Sequence, residues 1–204
     1  MTLVLLDTNA YLRLARRIKP LLGVKFGQKE YSLTILKDVE KEIHRSPRLQ
    51  YYFPWFDHDA LAKERLAGRV RLSKDEKLRI EAAQSVLRAH VLENVEAYIS
   101  RGHTPPSTTD CFCLAFGMVR PAIVTTDDLG MHQLAGEFEL SVWHGHELLR
   151  KMRSAKLINN EQIQEIYTAL ENNNDLPESW KRVKHTVFKK IFGPGISGVP
   201  DSSR

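Results

Sequence analysis

The sequence is poor in cysteine, in long apolar runs and in glycine-rich loops, and each shortage excludes something. Two of the 204 residues are cysteine, Cys111 and Cys113. With one residue between them they would point to different faces of a helix, which makes a poor disulfide or zinc signal and suits buried free thiols. No apolar stretch approaches the ~20 residues of a membrane helix, so no membrane partner is expected. The N-terminus has no basic lead and no long apolar core, so a secretory leader is not expected and the cytoplasm is the expected compartment. Internal repeats and a glycine-rich phosphate cradle are also missing, which removes repeat folds and P-loop nucleotide chemistry from consideration.

What is present describes a globular chain. The hydrophobic fraction is 42% and the charged fraction 27%, as in ordinary folded proteins. The length suits one domain with an appendage. A formal net charge of +5 and a pI near 9.2 are compatible with a polyanionic partner such as nucleic acid, without requiring one.

The chain is organised around Leu3-Val4-Leu5-Leu6-Asp7-Thr8-Asn9. Four apolar residues running into an acid suit a strand buried on both faces of a parallel sheet, with Asp7 at its carboxyl end. Ligands of open α/β sheets bind outside those ends. Ala122-Ile123-Val124-Thr125-Thr126-Asp127-Asp128 repeats the pattern. Tyr31-Ser32-Leu33 reads as a very short strand, and Phe138–Trp143 alternates as a longer one. Gly23–Glu30 reads as loop.

Helices are expected between these strands. One runs from Asn9, its cap, to Pro20. Another begins at Thr34 with Val39 and Ile43 on one side and Asp38 and Glu42 on a neighbouring face. A capping box at Ser73 and Glu76 opens a long helix to about Ser100, with Leu78, Val86, Leu87, Val91, Tyr98 and Ile99 in one stripe. A buried helix opens at Ser107, with Asp110 in its first turn. The aromatic cluster Tyr51–Phe56 reads as cover for a core edge, a base contact being the alternative. Beyond residue 148, Asn159–Leu170 and Pro177–Ile191 make a helical C-terminal extension (149–204) that loosens from about residue 193. Strands alternating with helices give an α/β fold class with a mainly parallel sheet.

Taken in order, the apolar run into Asp7-Thr8-Asn9, an acid on a following helix, Thr108-Thr109-Asp110 before a small-residue helix, and Val124-Thr125-Thr126-Asp127 resemble the PIN-domain nucleases over about residues 2–143. The resemblance implies a parallel-sheet α/β/α sandwich in residues 1–148, here with a helical insertion at about 46–105. It also implies four acids at the carboxyl edge of the sheet that bind Mg²⁺ or Mn²⁺. Carried over, the first acid is Asp7, the third Asp110 and the fourth Asp127, with Asp128 a neighbour able to share the site. For the second, Ile35-Leu36-Lys37-Asp38-Val39 fits the family pattern and names Asp38, although the family more often has Glu there. Glu42, one turn later, is the fallback. Thr8, Asn9 and Thr125 would orient carboxylates or bind a water. The 72 residues between Asp38 and Asp110 (110 − 38) and the extension depart from compact members. They weaken an assignment to toxins of bacterial toxin–antitoxin pairs while leaving it open.

The chemistry explains the residue types. Mg²⁺ takes hard oxygen ligands and keeps several waters, lowers the pKa of bound water and offsets charge on the leaving oxygen. The implied activity is that of a metal-dependent endoribonuclease leaving a 5′-phosphate, with RNA placed ahead of DNA only because the family mostly cuts RNA. Carboxylates so close together should raise one another's pKa. Arg13, Arg16 and Arg17 are candidates for phosphate contact, against a plain solvated surface. Helix capping is the competing account of Asp110 and Asp128, and a solvated helix face that of Asp38 and Glu42. His144 and His146, flanking Gly145, read as loop histidines rather than ligands. The extension's apolar faces have three candidate destinations: its own domain, a second copy in a homodimer, or an antitoxin-like protein inhibitor. The alternative from another class is a catalytically silent PIN-like module that binds nucleic acid or a protein partner.

Overall fold

The computed structural model describes residues 1–194; the Gly-, Pro- and Ser-rich stretch expected from residue 193 lies, from 195 onward, outside the described residues. Five strands form one sheet: β1 (Thr2–Leu6), β2 (Lys25–Phe26), β3 (Tyr31–Thr34), β4 (Ala122–Thr125) and β5 (Val142–Trp143), in the order β2-β3-β1-β4-β5. β3, β1, β4 and β5 run parallel, and β2 adds antiparallel to β3. Successive residues of a strand face opposite sides, and Val4, Leu5 and Leu6 are all fully buried. β1 is therefore covered on both faces, as its unbroken apolar run requires. The chain leaves β1 for β3 on one side and returns to β4 on the other. The strand order reverses at β1, and Asp7 stands at its end, where the crevice of such a sheet opens.

The helices, in chain order, are α1 (Thr8–Leu14), α2 (Lys37–Arg45), α3 (Pro47–Tyr52), a 3-10 turn Pro54–Asp57, α4 (Asp59–Gly68), α5 (Lys74–Glu93) and α6 (Val95–Ile99). There follow α7 (Thr108–Val119), α8 (Leu129–Glu137), α9 (Gly145–Ser154), α10 (Asn160–Asn172), α11 (Glu178–Lys184) and α12 (Lys189–Phe192).

Several boundaries differ from the sequence reading. Thr34 closes β3 and pairs with Leu5, so α2 starts three residues later. Lys25 and Phe26 form a strand because Gly27 at φ 67 and Glu30 at φ 48 turn the chain back onto β3. The expected strand Phe138–Trp143 shrinks to Val142–Trp143, since Phe138 caps α8 and Glu139 turns at φ 55. The long helix breaks at Asn94, whose side-chain amide donates to the His90 carbonyl at 2.8 Å. Its buried face is Ile80, Leu87, Val91 and Tyr98 rather than the whole expected stripe. Leu78, Val86 and Ile99 are more than half exposed, because the face turned to α7 is the one that α7 can cover.

The extension is built into the same core. Ile163, Ile166, Tyr167, Trp180 and Phe188 are buried in one cluster with Leu5 and Leu14. Of the three destinations open in the sequence, its own domain takes these faces. Residues 149–194 thus share a core with the segment before them.

Candidate active site

Asp7 is 4% exposed and caps α1, Oδ1 accepting the Ala10 N–H at 2.6 Å. A capping carboxylate normally titrates low, because the helix terminus favours its charge. Asp7 does the reverse. Burial pushes it up to about 7, the nearby Thr126 hydroxyl and the Ala10 N–H oppose this only in part, and the charges of Asp110 and Asp127 add to the rise.

Glu42 answers it from α2. Burial raises its pKa, a hydrogen bond from Thr8 works against that, and the charge of Asp110 raises it further. Thr8 Oγ1 donates to Glu42 Oε2 at 2.5 Å, which ties the end of β1 to α2. Asp38, one turn earlier, lies on the outer side of the same helix face. It is paired with Lys41 at 2.8 Å, with 39% of its side chain exposed. Of the two acids left open by the sequence, Glu42 faces the others.

Asp110 is the common neighbour of these charges. It completes a capping box on α7, Oδ2 accepting the Ser107 N–H at 2.8 Å. It raises the pKa of Asp7, Glu42 and also Asp128, in which burial is the larger cause. Asp128 caps α8 through the Met131 N–H at 2.8 Å. The capping account of Asp110 and Asp128 is therefore correct as geometry, and both still stand within the field of the other acids. Cys113, one turn along α7 from Asp110, is fully buried behind them. Burial drives its thiol pKa well up, and Asp110, Asp7, Glu42 and Asp38 add to that. Of these acids Glu42 lines a cavity of about 460 Å³, together with Asp38, Glu81, Thr108 and Thr109, with Lys41 and Arg45 as its cations.

Asp127 occupies a different setting. Oδ1 accepts the Gly145 N–H at 3.1 Å and the Trp180 indole N–H at 2.9 Å, and Oδ2 pairs with Arg13 at 3.2 Å. Burial alone would raise its pKa, but the surrounding His144, Arg13, Trp180 and Gly145 hold it below the usual range. Geometry gives His144 the smallest part: its Nδ1 stands 3.6 Å away and has no hydrogen-bond partner. Both oxygens of Asp127 are thus engaged by the protein. His144 stacks between His132, with centroids 3.8 Å apart, and His146, at 5.2 Å.

The basic candidates divide in the same way. Arg13 spans Asp127 and Asp175, with bonds of 2.8 and 3.1 Å to the latter, and only 14% of its side chain is exposed. It is an internal clamp, not a free phosphate contact, because two carboxylates already fill its fork. Arg17 is half-buried and donates to the Arg13 carbonyl at 3.4 Å; Arg16 is exposed. Thr125 is buried, and its Oγ1 has no partner. Asn9 lies outside the acid group, on the wall of a second cavity. Nothing in the sequence pairs position 13 with 175 or 127 with 180, so the clamp was not legible there.

The donor set fits a hard dication by type: oxygen only and acidic, with Asp7 and Glu42 raised in pKa by burial first and by neighbouring charge second. By position the fit is incomplete. Among the described residues no three His, Cys, Asp or Glu side chains are arranged to hold one metal ion. Glu42 and Asp110 each give one oxygen to a local hydrogen bond instead. No family model matches the chain, and no curated protein matches it.

Proposed function

We propose that the protein is a PIN-like nuclease, with an α/β/α sandwich around the parallel sheet and the chemistry at Asp7. The observation that carries this reading is Asp7 itself: a buried acid that caps a helix and nevertheless sits at about 7, beside Asp110 and Asp127. A structural cap gains nothing from that burial, whereas a metal-binding carboxylate gains an approach shielded from water. Were Glu42 and Asp110 to release their local hydrogen bonds and draw in beside Asp7, the three could hold a divalent cation, Mg²⁺ or Mn²⁺, which would supply an activated water and charge stabilisation at phosphorus. Thr8 fixes the direction of Glu42, Asp128 adds negative potential from α8, and Lys41 and Arg45 offer cations for the flanking phosphates. Asp127 joins the β4 end to α1, α9 and α11 rather than contacting the reacting groups. RNA is the proposed substrate, and a toxin role would show as growth arrest on expression without a protein inhibitor.

A second reading has its own support. Every acid of the group is also a cap or a tether, which suits a catalytically silent PIN-like module. Incubating labelled RNA and DNA strands with Mg²⁺, Mn²⁺ or EDTA separates the two. Metal-dependent cutting lost in Asp7→Asn and Asp110→Asn is the expected outcome. Cutting that survives both substitutions refutes the site, and metal titration without cutting favours the silent module.

A further inference from the structure

Beside the acid cavity lies a second one of about 760 Å³, and the two share Ser46 at the end of α2. We propose that this second cavity is a nucleobase-reading subsite for single-stranded RNA, completed by the C-terminal extension; the proposal rests on the nuclease reading above. Its walls come from three separate parts of the chain: Asn9 on α1, Arg48 and Tyr52 on α3, and Asn173 and Asn174 after α10. Single-stranded RNA is read by stacking bases on aromatic rings and hydrogen-bonding their edges. The cavity holds one group for each task.

Tyr52 is the stacking surface. It is 63% exposed, with Tyr51 edge-on to it at 5.4 Å. The aromatic cluster thus divides: Phe56 is buried in the core, and the two tyrosines stand in solvent, Tyr52 on the wall of this cavity. The three asparagines offer both donors and acceptors, as discrimination between base edges needs. No side-chain hydrogen bond within the described residues occupies them, and Arg48 makes no ion pair there, which leaves it for a phosphate.

The extension's contribution is held in place. Arg13 grips Asp175 with two hydrogen bonds and is itself fixed to Asp127. The turn Asn173–Asp175 is thereby tied to the helix that begins beside Asp7. Asn174 adopts φ 52, the left-handed region that asparagine tolerates better than most residues. A base seated between Tyr52 and this turn would place the adjoining phosphodiester toward the acid cavity.

The test is binding of labelled A, C, G and U pentanucleotides in EDTA, so that no cutting is involved. Asn173→Ala with Asn174→Gly removes two amides while keeping the turn's φ; Tyr52→Ala removes the ring. All three positions are exposed, and melting curves confirm folding. Wild type is expected to rank the four bases over about tenfold or more in Kd, and the double variant to compress that spread to about threefold or less. Tyr52→Ala should weaken all four by about tenfold. A base spread that persists in the double variant, or no strand bound by wild type, overturns the proposal. Metal-dependent cutting measured in parallel keeps the two readings apart. Cutting with unchanged base preference sinks the cavity alone; base discrimination without any cutting retains the cavity and sinks the nuclease.

Discussion

Asp7 and Asp127 end equivalent strands in equivalent sequence contexts, yet their surroundings drive them in opposite directions. Asp7 has a folded pKa of about 7 against 3.8 for an ordinary aspartate. The folded state therefore holds its proton more tightly, and the stability this confers is full below about 4 and lost as pH rises through 7. In EDTA at pH 8, Asp7→Asn should be more stable than wild type, on the order of 2–4 kcal/mol at most, at roughly 1.4 kcal/mol per pKa unit. Urea unfolding across pH 4–8 checks this: the advantage should shrink as pH falls toward 4. Asp127 is depressed, so its contribution is present above the ordinary carboxylate range and lost in acid. Asp127→Asn should cost about 2 kcal/mol at pH 7, since Arg13 retains Asp175 but loses one charge partner. That cost should diminish in acid. Two substitutions of identical chemistry with opposite signs would separate the acid whose charge burial opposes from the one that holds the fold.

At the scale of elements, α5 and the α9–α11 contact carry the sharpest expectations. Leu87 is fully buried on the face of α5 turned to α7, while Leu78 is 66% exposed. Leu87→Ala should cost about 2–5 kcal/mol, and Leu78→Ser about 0.5 kcal/mol or less; chemical denaturation distinguishes them. Gly145 opens α9 where a Cβ would stand 2.5 Å from Trp180 Cζ2 and 3.0 Å from Asp127 Oδ2. Gly145→Ala must displace the indole that donates to Asp127, with an expected loss of about 1–3 kcal/mol and a change in tryptophan fluorescence. The helices themselves were largely legible. Capping residues at Ser73 and Ser107 and the small-residue run after Asp110 place α5 and α7 correctly. The length of β5 and the buried stripe of α5 were not legible, because alternation and apolar content do not say which face a neighbour will cover.

For the whole molecule, the decisive fact is that the extension and the sheet share one core. A chain ending at residue 148 would lose Trp180 from Asp127 and Asp175 from Arg13, and would expose the surface that Ile166 and Tyr167 cover. Such a truncation is expected not to fold cooperatively, which near-ultraviolet circular dichroism would show at once. Separately, a divalent ion that binds only the folded state should raise the melting temperature in step with its concentration, and Asp110→Asn should abolish that rise.

The amino-acid order by itself determined the alternation of strands and helices, the apolar run into Asp7 and the placement of acids at strand ends and helix starts. These are local properties: burial on both faces selects the residues of a strand, and capping selects those of a helix start. Only the tertiary structure decided which acids face one another. Glu42 rather than Asp38 is tied to the end of β1 and stands in the field of Asp110, because Thr8 reaches it across the crevice. Asp127 turns away, because Arg13, Gly145 and Trp180 converge on it from 114, 18 and 53 residues distant. Contacts at such separations leave no periodic trace in the sequence, since each partner needs only one residue in the right place.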